Sequence, residues 1–280
     1  MSLRIHAICL ALNEEVFIET CLKSIYDYCS GISVITQYDR DYYGNNVVPD
    51  TTASKVLNYP DPAGKIHIVT RRYKDETVAR NHEMQSLMCK PYRGVKSHGV
   101  AISEIQEFHS RPDYFLIIDA DEIYDESLPS IIQYLERKRP RGMRVSAYQY
   151  GFTWNQRIPI ERWSHHHFGF IKAGIMFEMR RKVSWNEQRI QSICSRLNLP
   201  DLSKLIYRFI DCPIEVGVFH HACYIGGKAR LMEKFKKHSH QEVNKSGYID
   251  SIMSRDFEEV SSNELPEVVR QAKWPIGFIN

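Results

Sequence analysis

Residues 115–124 read FLIIDADEIY. Four apolar residues, Phe115 to Ile118, run straight into Asp119, Asp121 and Glu122. The run is too short for a helix and fits a buried strand. Three carboxylates within four positions repel one another, by roughly 1–4 kcal/mol per close pair at effective dielectrics of 80 to 20. Something must offset that repulsion. A divalent hard cation would, because Mg²⁺ and Mn²⁺ take oxygen ligands from one or two carboxylates and from substrate phosphates. Strand ends also carry Asp as turn formers and helix caps, so Asp-x-Asp alone does not define a cation site.

Working outward, residues 4–12 (RIHAICLAL) read as a first strand, ended by the polar Asn13, Glu14 and Glu15. Residues 14–29 carry apolar side chains at helical spacing, with acids at the start, and Gly31 closes the segment. Residues 32–36 (ISVIT) make a second strand. Strand, helix and strand in about thirty residues form a βαβ unit, which calls for a parallel sheet. Further on, 37–50 read as a loop, 51–58 as a short helix, 65–70 as a strand, 77–88 as a helix and 129–139 as another. Residues 89–112 read as an insertion, basic at first (KPYRGVK) and then helical. Residues 143–185 are rich in aromatics and Gly and read as β, whereas the charged segment from Lys228 reads as helix.

The expected fold class is α/β. A Rossmann-like, mostly parallel sheet over 1–140 is flanked by helices, continues into a mixed β region over 141–225, and ends in a C-terminal helical segment over 226–280. In open α/β sheets, ligands sit beyond the carboxyl ends of the strands. Asn13, Asp39 and the 119–122 cluster all fall there.

Composition sets outer bounds. The 280 residues are 43% hydrophobic and 25% charged, with a net charge of +3. That composition argues against disorder or a fibre, and the mild positive charge suits an anionic ligand better than bulk nucleic acid. Seven cysteines without a CxxC pair argue against a disulfide framework and favour a reducing, cytoplasmic compartment. The N-terminal apolar run meets Asn13, Glu14 and Glu15 too soon for a signal peptide or a membrane span.

LNEEVFIETCLKSI, the DTT at 50–52, VARNHEM and DYFLIIDADEIYDESL together resemble nucleotide-sugar glycosyltransferases of the GT-A fold. The likeness is to glycosyltransferase family two, in particular the branch that decorates lipopolysaccharide cores and capsules, and it spans roughly residues 4–135. The pattern departs from that family in the long loop QYDRDYYGNNVVPDTT and in the insertion near 90–112.

The resemblance implies an enzyme that moves a sugar from a nucleotide-diphosphate donor, UDP-sugar first among them, to an acceptor hydroxyl with inversion. It implies Mn²⁺ or Mg²⁺ as cofactor. Asp121 would be the direct metal ligand of the DXD motif, and Asp119 a shared metal and ribose contact. Asp39, or else Asp41, would bind the base. Arg80 would approach the base or the diphosphate. Leu12, Asn13, Glu15 and Ala120 would line the nucleotide pocket. A distant His would fill another metal position: His221 fits the register of FHHACYI, with His220 as the alternative. Glu187 in SWNEQ would be the general base, with Glu161 and Glu178 behind it.

Lys228, Arg230 or Lys234 would neutralise diphosphate, the rest of that charge run being a solvated helix face. Three consecutive His in SHHHFGF (164–170) do not converge readily on one ion, so that segment reads better as an acceptor loop with Trp163 and Phe168 stacking. The acceptor would be a glycan or another hydroxyl-bearing molecule, a modified nucleic acid being a minority possibility.

Two other classes compete. A nucleotidyltransferase of similar fold would be expected to carry a Gly-rich phosphate loop near the first strand, and LALNEE has none. A non-catalytic sugar-nucleotide or glycan-binding module would keep the fold and lose the metal ligands or the base.

Overall fold

The structure is a computed structural model. It describes residues 2–36, 45–88, 111–159, 167–178, 181, 194, 196–197, 208–237, 247, 250–251, 254–275 and 278. Asp39, Asp41, Glu161, Trp163, Glu187 and most of the 89–112 insertion lie outside the described residues.

Strands β1 (Ile5–Leu10), β2 (Gly31–Ile35), β3 (Ile66–Val69) and β4 (Tyr114–Asp119) are parallel, in the order β3-β2-β1-β4. β1 and β4 are interior strands with almost every residue buried. That explains their unbroken apolar runs, since a parallel strand is covered on both faces.

Alternate residues serve opposite layers. Ile5, Ala7, Cys9, Leu116 and Ile118 join one core with helix α1 (Ile18–Ile25). Ile8, Leu10, Phe115 and Ile117 join a second core with helix α3 (Glu76–Met88). α2 (Thr52–Leu57) lies between β2 and β3 in the chain. α4 (Leu128–Lys138) buries Leu128, Ile131 and Leu135 on the α1 side of the sheet and ends at Arg139, which takes a left-handed turn at φ 47°.

β6 (Gly142–Val145), β9 (His167–Lys172) and β10 (Phe209–Asp211) complete seven strands in the order β10-β6-β9-β4-β1-β2-β3, with β9 antiparallel to both neighbours. Phe168 on β9, expected in an acceptor loop, is instead buried against Phe209 with the Arg144 guanidinium over its ring.

Strands β5 (Glu122–Tyr124), β7 (Ala147–Tyr150), β8 (Gln156–Ile158), β11 (Phe219–His221) and β12 (Glu258–Glu259) form a second sheet, in the order β12-β8-β7-β11-β5. The segment 226–280, expected to be helical, contains α5 (Gly227–Lys237) and α6 (Glu267–Gln271) but also contributes β12. Val260, Leu265, Val269 and Phe278 of that segment pack with Phe17, Ile123, Trp154 and Ala222. The architecture is a mostly parallel Rossmann-like sheet between helices with a separate mixed sheet, as the GT-A resemblance implies.

A polar chain runs from β1 over β2 to α3 on one face of the parallel sheet. Ser33 donates its only hydroxyl proton to Glu83 at 2.8 Å, so the neutral His6 ring donates to Ser33 through Nε2 at 2.9 Å. Gly31 makes room for that ring: a Cβ there would lie 2.5 Å from His6 Nδ1. Burial, and then the neighbouring His67, push His6 down to about 3, well below its ordinary 6.5. Between those values the unfolded chain binds a proton that the folded one refuses. His6 therefore contributes stability that is full above pH 6.5 and is lost as pH falls toward 3, by about 1.4 kcal/mol per unit. Urea midpoints of wild type and His6→Gln should diverge in slope below pH 6, the variant losing less stability. Parallel pH profiles would refute this role.

Candidate metal and nucleotide site

The two sheets meet at the acidic stretch. Asp119 ends β4, Glu122 starts β5, and Asp121 turns the chain between them. β11 pairs antiparallel with β5, setting His221 opposite Glu122 and His220 opposite Ile123. The Ala222 amide donates to the Asp121 carbonyl at 2.8 Å and extends that pairing by a step. Neighbouring strand residues face opposite ways, so the two histidines part company. His220 is buried, 2.7 Å from the Tyr150 hydroxyl and 3.2 Å from Asp125. His221 faces the acids, with Nε2 3.7 Å from Asp121 Oδ2.

The repulsion posed by three carboxylates is met here by protein cations. Arg80, only 1% exposed, donates to Asp119 Oδ1 at 2.7 Å and to Glu76 at 3.0 Å. Arg181 lies 2.9 Å from Asp119 Oδ2 and grips Glu122 with both terminal nitrogens at 2.9 Å. Glu122 Oε2 also accepts the Asp119 amide at 3.0 Å, which braces the turn. Burial alone would raise the Asp119 carboxyl, but Arg181 and Arg80 prevail and hold it far below the usual range. Glu122 goes the other way, because burial and then the Asp119 charge outweigh Arg181.

Asp121 is handled by different groups. Lys234 of α5 donates to its Oδ2 and to Glu14 Oε1, the latter at 2.9 Å. Arg230, one turn earlier, reaches Glu14 Oε2 at 2.8 Å and lies over the Phe17 ring. Gly226, at φ 99°, turns the chain from β11 into α5, where a Cβ would meet Arg230 and Phe278 at 2.7–2.8 Å. Arg230 and Lys234 are therefore not a solvated face, whereas Lys228 pairs with the exposed Asp250. Burial opposes the ionisation of Asp121, but Lys234 and His221 hold it at about 2. Burial likewise opposes charge on His221, but Asp121 and a hydrogen bond with Cys223 lift it to about 9.

The expected pocket residues of the first loop sit beside this cluster. Leu10 pairs with Asp119, and the Ala120 amide donates to the Leu10 carbonyl at 2.9 Å, so Leu12–Glu15 and 119–122 leave the sheet side by side. Asn13 adopts a left-handed φ of 52° and its side chain donates to the Val48 carbonyl. Glu14 and Glu15 fasten the DTT segment. The Glu14 amide donates to Thr52 Oγ1, and Glu15 Oε2 accepts the Thr51 hydroxyl at 2.6 Å and the Thr51 amide at 3.0 Å. Those Thr51 bonds hold the Glu15 carboxyl below its ordinary range.

Asp121, His221 and Cys223 present an oxygen, a nitrogen and a sulfur, all within 4.8 Å of one another. Two ligands at about 2.1 Å from one tetrahedral ion stand about 3.4 Å apart, close to the 3.7 Å between His221 and Asp121. The donor set fits a divalent ion, with His221 giving up its proton on ligation. Asp119 does not join that group; its two oxygens meet Arg80 and Arg181. Sequence reasoning passed over Arg181, Glu14 and Cys223. Arg181 sits in a basic run, Glu14 is one of two adjacent acids, and a single Cys carries no spacing signal.

No protein-family model matches the chain, and no curated protein matches it. Among solved structures, glucosyl-3-phosphoglycerate synthase from Mycobacterium tuberculosis, in complex with Mn²⁺, UDP and phosphoglyceric acid, superposes with a TM-score of 0.41 at 14% identity over 78% of this chain and 70% of that one. A glycosyltransferase of Streptococcus pneumoniae gives a TM-score of 0.36 at 12% identity over 91% of this chain and 61% of that one. A Bacillus anthracis protein provisionally assigned as a glucose-1-phosphate thymidylyltransferase gives 0.36 at 12% identity over 82% and 93%. Among the described residues, no helix is long and apolar enough to cross a membrane.

Proposed function

We propose that this chain is a metal-dependent glycosyltransferase of family-two type. It takes a sugar from a nucleoside-diphosphate donor, UDP-sugar in the first instance, and transfers it with inversion to the hydroxyl of a glycan or similar acceptor. The observation that carries this reading is the convergence of Asp121 and His221 where β4 and β11 end, beside the first-loop residues Asn13 and Glu15. Asp121 and His221 would hold Mn²⁺ or Mg²⁺, which when bound offsets the charge that builds on a departing diphosphate.

The chain's own residues do the rest. Arg80 and Arg181 keep Asp119 ionised and fixed, so that it offers its carboxylate edge to the ribose. Lys234 and Arg230 put positive charge at the edge a diphosphate would approach. Asp39 is assigned the nucleobase. Glu187 is assigned the acceptor proton, which a general base removes as the anomeric carbon becomes cation-like.

Calorimetry tests the core of this reading. UDP should bind the wild-type chain in the presence of Mn²⁺, with affinity falling at least about tenfold, roughly 1.4 kcal/mol, when the ion is chelated or in Asp121→Ala. Undiminished donor hydrolysis and transfer by Asp121→Ala with Mn²⁺ present would sink it.

A further inference from the structure

We propose that Cys223 is the third protein ligand of the cation, so that the site selects a borderline transition ion of the Zn²⁺ or Co²⁺ class over Mg²⁺. The inference rests on the reading that Asp121 and His221 hold a divalent ion, and it changes the ion's chemistry. The strand β11 ends at His221, and Cys223 follows two residues later. The Ala222–Asp121 bond carries the pairing one residue beyond β11, and Cys223 opens the turn that follows. The thiol comes within 4.8 Å of the Asp121 and His221 donor atoms.

The other described cysteines behave differently. Cys9, Cys21, Cys29, Cys194 and Cys212 are buried, and Cys223 alone among the described cysteines is only partly so. A cysteine serving the core would be expected to resemble those five. Cys223 does touch the small apolar cluster of Ile158, Tyr224 and Leu231, but that contact leaves part of it facing the acids. Hard Mg²⁺ seeks oxygen ligands in octahedral array and keeps several waters. A thiolate beside an imidazole and a carboxylate is a set that Zn²⁺ and Co²⁺ accept and Mg²⁺ does not.

Cobalt supplies a readout that needs no turnover. Full-length wild-type chain titrated with Co²⁺ alone should develop a sulfur-to-cobalt charge-transfer band in the near ultraviolet, together with visible d–d bands. Cys223→Ser should lose the charge-transfer band, keep the d–d bands, and bind Co²⁺ at least about tenfold more weakly. Cys223→Asp, which restores a charged ligand, should bind without the charge-transfer band and shift preference toward Mn²⁺ and Mg²⁺. In wild type, Zn²⁺ should displace Co²⁺ at far lower concentration than Mg²⁺. Co²⁺ bound by wild type without a charge-transfer band, or a band that survives in Cys223→Ser, would overturn the assignment of Cys223 while leaving the Asp121–His221 ion standing. Failure of Co²⁺, Zn²⁺ and Mn²⁺ to bind wild type at all would overturn both.

Discussion

Lys234→Met should lower the stability of the ion-free protein by about 3–5 kcal/mol and make the remainder unusually responsive to Mn²⁺. The first effect follows from what the lysine leaves behind. Its ammonium joins Glu14 to Asp121, and both carboxylates are buried. Removing one member of a buried ion pair strands the other, which costs more than the pair was worth. Arg230 still covers Glu14, so Asp121, left with His221 at 3.7 Å, bears most of the loss.

The second effect has the opposite sign. An ammonium at about 4 Å from an added charge repels it by about 4 kcal/mol per unit charge at an effective dielectric near 20, and a divalent ion doubles that. Wild-type Lys234 would have to swing aside on its flexible stem to relieve this, at the cost of its contacts with Asp121 and Glu14. The methionine variant has nothing to move, so its ion affinity should rise by at least about tenfold. Urea midpoints measured in chelator and again in saturating Mn²⁺ give both numbers at once, because an ion that binds only the folded state stabilises by mass action. Equal Mn²⁺-induced shifts in variant and wild type would show that lysine and ion do not compete for Asp121.

What the sequence made legible follows from burial. β1 and β4 are covered on both faces, so their apolar runs read plainly, and α1 and α4 show their buried stripes at helical spacing. The acids beyond β1 and β4 read as a site because a strand end is the one place in such a sheet where charge meets ligand. The second sheet was much harder. β5 and β11 are three residues each, too short for a period to show, yet their register is what brings His221 beside Asp121.

Charge was hardest of all. KARLMEKF offers Lys228, Arg230 and Lys234 alike as partners for a diphosphate, and the fold separates them: Arg230 and Lys234 reach Glu14, whereas Lys228 pairs with the exposed Asp250. The opening acids called for a cation on electrostatic grounds alone. Sequence could not reveal that two arginines already serve Asp119 and Glu122, leaving Asp121 as the carboxylate with exchangeable partners.

Arg181→Met should prove as damaging as any single substitution in the chain, again by about 3–5 kcal/mol. Arg181 is 9% exposed and binds two acids at once, while Glu122 is 3% exposed. Asp119 retains Arg80 after the change, so Glu122 is the group left without its guanidinium. That asymmetry makes the prediction specific. Glu122→Gln removes the stranded charge while keeping an oxygen that can accept the Asp119 amide, so Arg181→Met/Glu122→Gln should recover much of what Arg181→Met loses. Asp119→Asn on the same background should recover little, since Asp119 is still paired. A double-mutant cycle on urea midpoints isolates each coupling, and residues in direct contact commonly show about 0.5–3 kcal/mol. Additive losses for Arg181 and Glu122 would mean that the bidentate contact does not stabilise the turn. A coupling larger for Asp119 than for Glu122 would mean that Arg181 serves the strand end and not the brace beneath it.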